Sequence, residues 1–162
     1  MATSEEPHED ESRKERVDRE LLELLNEIRV ALPGVQVLFG FLLIVPFSNG
    51  YGRMDDLQRG LILISLVAAA VAIACLVAPT AQHRILFRSR NKERLLFHAN
   101  RLLLAGTVFL AIAMVASVYV VTDIVVGGIT ADVISALLAA LFITLWYIVP
   151  LGERLRVGRE RI

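Results

Sequence analysis

Four long runs without a charged side chain constrain this chain more than any other feature. They cover residues 30–52, 60–82, 102–122 and 133–152. About 20 apolar residues in a helix span the hydrocarbon core of a bilayer at 1.5 Å rise per residue. Because 21% of the residues are nevertheless charged, charged and apolar residues are segregated along the chain. The sequence therefore predicts an all-α polytopic membrane protein: a four-helix bundle with an amphipathic interfacial helix at its N-terminus.

Turn and helix-capping residues predict the bounds of these spans. Pro33 fits the first turn of a helix, where its missing N–H costs little. Asp55 or Asp56 is expected to cap the second span, which is expected to stop at Pro79. The helix of the third span is expected to begin at about Asn91, so that it extends beyond the span on the inner side of the membrane. The apolar runs and these turn and capping residues together predict a transmembrane domain over residues 32–151. Its spans are expected at about 32–48, 57–78, 102–122 and 129–151.

The segment before the first span has a different character. Residues 1–12 are acidic and polar, which predicts disorder. In residues 13–31, apolar side chains recur every three or four positions opposite a charged face, which is typical of a helix lying along the membrane interface. Docking of this helix on a partner protein or on a second copy is the alternative. Residues 152–162 form a basic tail.

The distribution of Lys and Arg predicts the orientation in the membrane. Of the 17 Lys and Arg residues, all but Arg53 and Arg59 lie in the N-terminal segment, in the loop at 80–101 or in the tail. Cytoplasmic loops carry the excess of such residues in membrane proteins. Both termini are therefore expected on the cytoplasmic side.

The predicted spans contain few polar side chains. Thr and Ser hydroxyls can bond to the backbone of their own helix, whereas Gln36 is expected to bond across helices. If several copies assembled, a polar path would make the protein a small oligomeric transporter or channel. The residues expected to line such a path are Gln36, Thr107 and Ser117.

Small residues at four-residue intervals predict where the helices pack. Close backbone approach gives membrane helices van der Waals contact, so such stripes favour packing within the bundle. The stripes comprise Ala70, Ala74 and Ala78 in the second span, Ala113 and Ser117 in the third, and Ala136 and Ala140 in the fourth, with Ser135 and Ala139 beside them.

A cationic inner rim is the strongest chemical feature of the sequence. Arg29 and Arg101 are paired by a faint internal repeat at a shift of 72 residues, and Arg84 and Arg88 lie in the loop between them. Cations at such positions contact anionic lipid head groups. His83 and His98 in the same loop lack the further ligands of a zinc site, so no metal, cofactor or catalytic residue is predicted. An enzyme that uses these histidines on lipid head groups is a second alternative; nucleic-acid binding is not expected.

Three segments resemble a family of small actinobacterial multi-pass membrane proteins of unknown function. They are ELLNEIRVALPGVQVLFGFLLIVPF (23–47), APTAQHRILFR (78–88) and ANRL (99–102). The resemblance implies a four-span protein of the bacterial inner membrane and carries no activity with it. Its motifs surround the inner rim and add Asn100 to the candidate contacts for lipid or a partner protein. The function expected is that of a non-enzymatic scaffold or accessory subunit, alone, as a homo-oligomer or with a protein partner.

Overall fold

The computed structural model describes residues 13–86 and 92–153 of the chain, and the regular structure in these ranges is helical. Four helical stretches in these ranges are long and apolar enough to cross a membrane. This confirms the prediction of an all-α bundle with four spans. The long helices are α1 (Arg13–Ile44), α2 (Asp56–Leu86), α3 (Lys92–Val125) and α4 (Ile129–Ile143).

Short turns connect these helices. Two 3-10 turns, Val45–Phe47 and Tyr51–Arg53, join α1 to α2. A π-helical turn at Thr144–Ile148 continues α4 into a last helical stretch that reaches residue 153. We call the end of the bundle with residues 45–55 and 126–128 the loop end, and the opposite end, where α1 begins and α4 finishes, the terminal end.

Helix α1 joins two segments that the sequence predicts separately. It runs without a break through Pro33, from the expected interfacial segment (13–31) into the first span. The stretch long enough to cross a membrane is Leu22–Phe47, so it begins ten residues before the predicted start. That residues 13–31 lie along the interface stays a prediction. The expected acidic tail (1–12) and residues 154–162 of the basic tail lie outside the described residues.

Helix α2 does not end at Pro79, contrary to the prediction. It continues to Leu86, and Pro79 lies inside it. A proline inside a helix removes one N–H bond to the carbonyl four residues earlier, but neighbouring helices make this tolerable in membrane proteins. Pro79 is among the most completely buried side chains of the described residues, so its packing helps to offset the lost bond. The predicted inward extension of the third span is confirmed, because α3 begins at Lys92.

The core lies where α1, α2 and α3 meet. Its buried residues recur every seven positions on each helix, the spacing with which long helices keep one seam against each other. Close approach of α2 and α3 is possible because several of these residues are small. The heptad-spaced buried residues are Ile28, Val35 and Leu42 on α1, Ile62, Ala69 and Leu76 on α2, and Ala99, Gly106, Ala113 and Val120 on α3.

The small-residue stripes predicted for α2 and α4 are packing faces only in part: Ser135 is buried, and Ala78 and Ala139 are half-buried. Ala70 and Ala74 are exposed on α2, and Ala136 and Ala140 are exposed on α4. The alanines buried on α2 are instead Ala68, Ala69 and Ala72. The four-residue spacing is common in apolar sequence, and in this chain the seven-residue spacing marks the buried face.

The helices pack largely in chain order. Helix α3 makes its main contacts with α2, α1 packs mostly on α2, and α4 packs mostly on α3. Helix α4 therefore lies at the edge of the bundle, and only 6% of the residues in the most apolar part of its span are buried. This arrangement leaves a lateral groove between α2 and α4, with α3 as its floor.

Candidate functional site

Three of the predicted arginines lie exposed at the terminal end on three successive helices. Arg29 is on α1, Arg84 on α2 and Arg101 on α3. The guanidinium of Arg101 lies 4.5 Å from the centroid of the Phe97 ring, a cation–π contact that restrains its position. We call these three residues the arginine rim. Arg88, the fourth predicted arginine, lies outside the described residues.

An acidic cavity of about 500 Å³ lies beside the arginine rim, between α1 and α3. The predicted contact residue Asn100 belongs to its wall, together with Phe97. On α1 the wall is formed by Glu20, Glu23 and Glu27, which share one helix face because they follow one another at intervals of three and four. In the sequence, Glu23 and Glu27 belong to the charged face of the segment 13–31, and only the fold shows that they border a cavity with α3.

The structure describes the side chain of one of the two candidate histidines. His98 is exposed on α3, and its ring meets the Phe97 ring edge-on with 6.4 Å between centroids. The side chain of His83 lies outside the described residues. Within residues 13–86 and 92–153, no group of three or more His, Cys, Asp or Glu side chains could hold a metal ion.

The three polar residues predicted inside the membrane do not line one interior path of a single chain. Gln36 is exposed on α1, so it faces the surroundings of the bundle. Ser117 donates a hydrogen bond to the Ala113 carbonyl of its own helix, as the sequence predicts for a hydroxyl. Thr107 likewise donates to the Leu104 carbonyl at 2.9 Å.

Thr107 also links α3 to α4, through Tyr147. The two hydroxyl oxygens are 2.9 Å apart. Because the single hydroxyl proton of Thr107 is directed at the Leu104 carbonyl, Tyr147 is the donor in this second bond. Tyr147 lies in the π-helical turn of α4, where the extra residue per turn changes the direction of side chains relative to an α-helix. Nothing in the sequence pattern marks this turn or the position of Tyr147.

A reciprocal capping arrangement begins α2 at the loop end. The Gln58 backbone N–H donates to Asp55 Oδ1 at 2.7 Å, and the Asp55 N–H donates to Gln58 Oε1 at 3.2 Å. This is the capping box that stabilises helix N-termini, and it confirms Asp55 as the cap. The Gln58 amide Nε2 also donates to Asp123 Oδ2 at 2.8 Å, which ties the start of α2 to the end of α3.

Comparison with known proteins adds the family of the chain. No curated protein and no solved structure matches it. The model of a family of unknown function, DUF6328, matches residues 10–150, a range that includes the arginine rim, the acidic cavity and the capping box. The chain belongs to this family.

Proposed function

We propose that this protein is a non-enzymatic membrane scaffold or accessory subunit whose terminal end holds anionic lipid head groups on the cytoplasmic side of a bacterial inner membrane. The observation that supports it is the arginine rim. Arg29, Arg84 and Arg101 are exposed on three neighbouring helices at the same end of the bundle.

The rim cations favour lipid contact. A cation near an anionic bilayer surface contributes about 1 kcal/mol, a gain that the neighbouring carboxylates reduce. Arg101 loses little side-chain entropy on binding, because the Phe97 ring already restrains it. The neighbouring carboxylates of Glu20, Glu23 and Glu27 repel phosphate, which directs head groups toward the arginines and away from the acidic cavity.

A scaffold role also agrees with the exposed flanks of the bundle. Only 11% of the residues in the most apolar part of the first span, and 6% of those in the fourth, are buried. In a membrane these faces contact lipid or the helices of a partner. The transporter alternative gains no similar support among the described residues, since Gln36 is exposed.

Replacing two rim residues tests the lipid contact. The double variant Arg29→Gln, Arg101→Gln is expected to retain markedly less phosphatidylglycerol than the wild type after purification in mild detergent, because two head-group cations are lost. Native mass spectrometry measures the bound lipid. Arg53→Gln, which removes an exposed arginine at the loop end, is the control and should retain the wild-type amount. Equal retention in all three proteins would refute the proposed rim.

Cysteine labelling tests the proposed orientation. In a Cys75→Ser background, Gly52→Cys at the loop end is expected to react with a membrane-impermeant maleimide in intact cells. Glu153→Cys at the terminal end is expected to react only after permeabilisation. Both positions are exposed, so accessibility depends on the side of the membrane. The reverse pattern would place the arginine rim outside the cell.

A further inference from the structure

The lateral groove between α2 and α4 has a volume of about 600 Å³. Leu57 and Ile64 of α2 form one wall, Val108 and Tyr119 of α3 belong to the floor, and Ser135 belongs to the α4 wall. Its lining is apolar except for the hydroxyls of Tyr119, Ser135 and Tyr147. A largely apolar cavity of this size with a few polar groups is typical of a small-molecule site.

Ser135 has an unsatisfied hydroxyl at this groove. The residue is only 6% exposed, and its Oγ is buried without a hydrogen-bond partner. Its side chain must therefore rotate toward the groove before a bound acceptor can reach the hydroxyl. Burial of an unpaired hydroxyl costs free energy that a bound acceptor would recover. A ligand with an oxygen at this level would therefore be favoured over a purely hydrocarbon one.

The dimensions of the groove fit an extended chain better than a helix. From Val108, halfway along α3, to Tyr119 near the loop end, the groove extends 11 residues or about 17 Å. Half of a bilayer core, the length available to the acyl chains of one leaflet, is about 15 Å. A volume of about 600 Å³ over this length gives a mean cross-section of about 35 Å², whereas a helix with side chains, about 10 Å wide, needs about 80 Å².

The loop-end mouth of the groove is electronegative. The carboxylates of Asp132, Asp123 and Asp55 lie close enough to the Tyr119 hydroxyl to act on it electrostatically, and Asp132 acts most strongly. Arg59, on the first turn of α2, is instead directed toward Asp56 at 3.7 Å and the Gly52 carbonyl at 3.4 Å. This mouth therefore complements a cationic head group.

We infer that the groove binds one acyl chain of an amine-bearing phospholipid from the leaflet at the loop end. The acyl chain lies on α3 between α2 and α4, and the ammonium group lies beside Asp132. The Ser135 side chain rotates toward the groove and donates its hydroxyl proton to an ester oxygen at the level of Tyr119. This lipid differs in head group and in leaflet from the anionic lipid proposed for the arginine rim, so either site can exist without the other.

Native mass spectrometry of protein released from nanodiscs of equal phosphatidylethanolamine and phosphatidylglycerol tests the inference. The wild type is expected to retain one phosphatidylethanolamine. Ala139→Phe, which fills the groove, should lose it, whereas Ala140→Phe, on the exposed face of α4, should keep it. Asp132→Asn should keep a lipid but lose the preference for the amine head group.

A second pair of variants preserves the groove volume. Ser135→Ala removes the hydroxyl at the groove and should lower phosphatidylethanolamine retention. Ser65→Ala removes the other buried hydroxyl without a partner among the described residues. Ser65 lies on α2 outside the groove lining, so this variant should leave retention unchanged.

Several results would overturn the inference. They are equal retention in Ala139→Phe and the wild type, equal effects of the two serine variants, or retention without head-group preference in the wild type. A lipid-free dimer that Ala139→Phe dissociates would also overturn it, because the groove would then be an interface between two copies. Retention that depends on Arg29 and Arg101 but not on the groove residues would support the rim alone.

Discussion

Replacement of Gly106 by leucine is expected to lower the free energy of unfolding by about 2–3 kcal/mol. A Cβ atom at this position would lie 3.1 Å from Cγ and Cδ2 of Leu76 and 3.4 Å from Cβ of Cys75. Leu76 is itself only 2% exposed, so it has little room to move away. The gain from replacing a glycine inside a helix, about 1 kcal/mol, offsets only part of this overpacking.

The single cysteine of the chain reports on this contact directly. Cys75 is half-buried where α2 meets α3. In Gly106→Leu its thiol is expected to react faster with a small maleimide in detergent, and the protein to unfold at lower SDS in mixed micelles. Both changes follow from separation of α2 and α3, the most extensive helix pair of the bundle.

Two further variants control for this prediction. Gly60→Leu adds the same side chain to α2 at a position where a Cβ atom meets nothing within 4 Å, and it should leave Cys75 reactivity unchanged. Leu76→Ala in the Gly106→Leu background should recover part of the stability by returning volume to the contact, which a double-mutant cycle measures. If Gly60→Leu and Gly106→Leu destabilise equally, the close approach of α2 and α3 is wrong.

The four spans follow from the sequence because a bilayer demands long uncharged runs. The helix ends do not, because backbone hydrogen bonding continues where hydrophobicity stops. Helix α1 extends back to Arg13 and α3 begins at Lys92, both in charged sequence. Pro79 was a misleading stop signal, since packing in the core holds the helix together around it.

The packing faces are harder to predict than the spans. A soluble helix shows its buried face by contrast with polar residues, but in a membrane span the face toward lipid is also apolar. Ala70 and Ala74 therefore look as suitable for packing as Ala69 and Ala72, although only the second pair is buried. The same argument applies to Gly34 and Gly106, which the faint repeat pairs. Gly34 has open space around it, and Gly106 lies against Leu76.

The two candidate sites also differ in how far they can be predicted from the sequence. The arginine rim is recognisable in the sequence, because charges at span ends are conspicuous and the helices bring them to one end. The groove is not, because its three hydroxyls lie inside apolar runs on two helices and the distance between them depends on how α4 packs. The π-helical turn that carries Tyr147 has no sequence signal that we could identify.

Replacement of Gly128 by alanine is expected to loosen α4 from the rest of the bundle. Gly128 has φ 58° and ψ −150°, a backbone conformation that is essentially reserved for glycine and costs other residues about 1–3 kcal/mol. Its carbonyl accepts the N–H of Ala131 at 3.1 Å at the start of α4, and Ala131 is fully buried. A change of backbone at Gly128 therefore displaces the first turn of α4 from its packing.

The single tryptophan of the chain distinguishes the effect of Gly128→Ala from that of Gly106→Leu. Trp146 lies in the π-helical turn that continues α4, with 4.7 Å between the centroids of its ring and the Phe142 ring, whereas Cys75 lies on α2. Gly128→Ala should shift the Trp146 fluorescence transition to lower SDS by an amount corresponding to about 1–3 kcal/mol, while protection of Cys75 changes little. Gly106→Leu should instead expose Cys75.

Gly52→Ala is the matched control for Gly128→Ala. Gly52 also lies at the loop end, but its φ is outside the left-handed region and an added Cβ atom meets nothing within 4 Å. The Trp146 fluorescence transition of the Gly52→Ala protein should match that of the wild type. Because α4 packs mostly on α3, loosening it opens the groove, so Gly128→Ala should also lose the phosphatidylethanolamine bound there. An unchanged Trp146 transition in Gly128→Ala would mean that the connection between α3 and α4 does not determine how α4 packs.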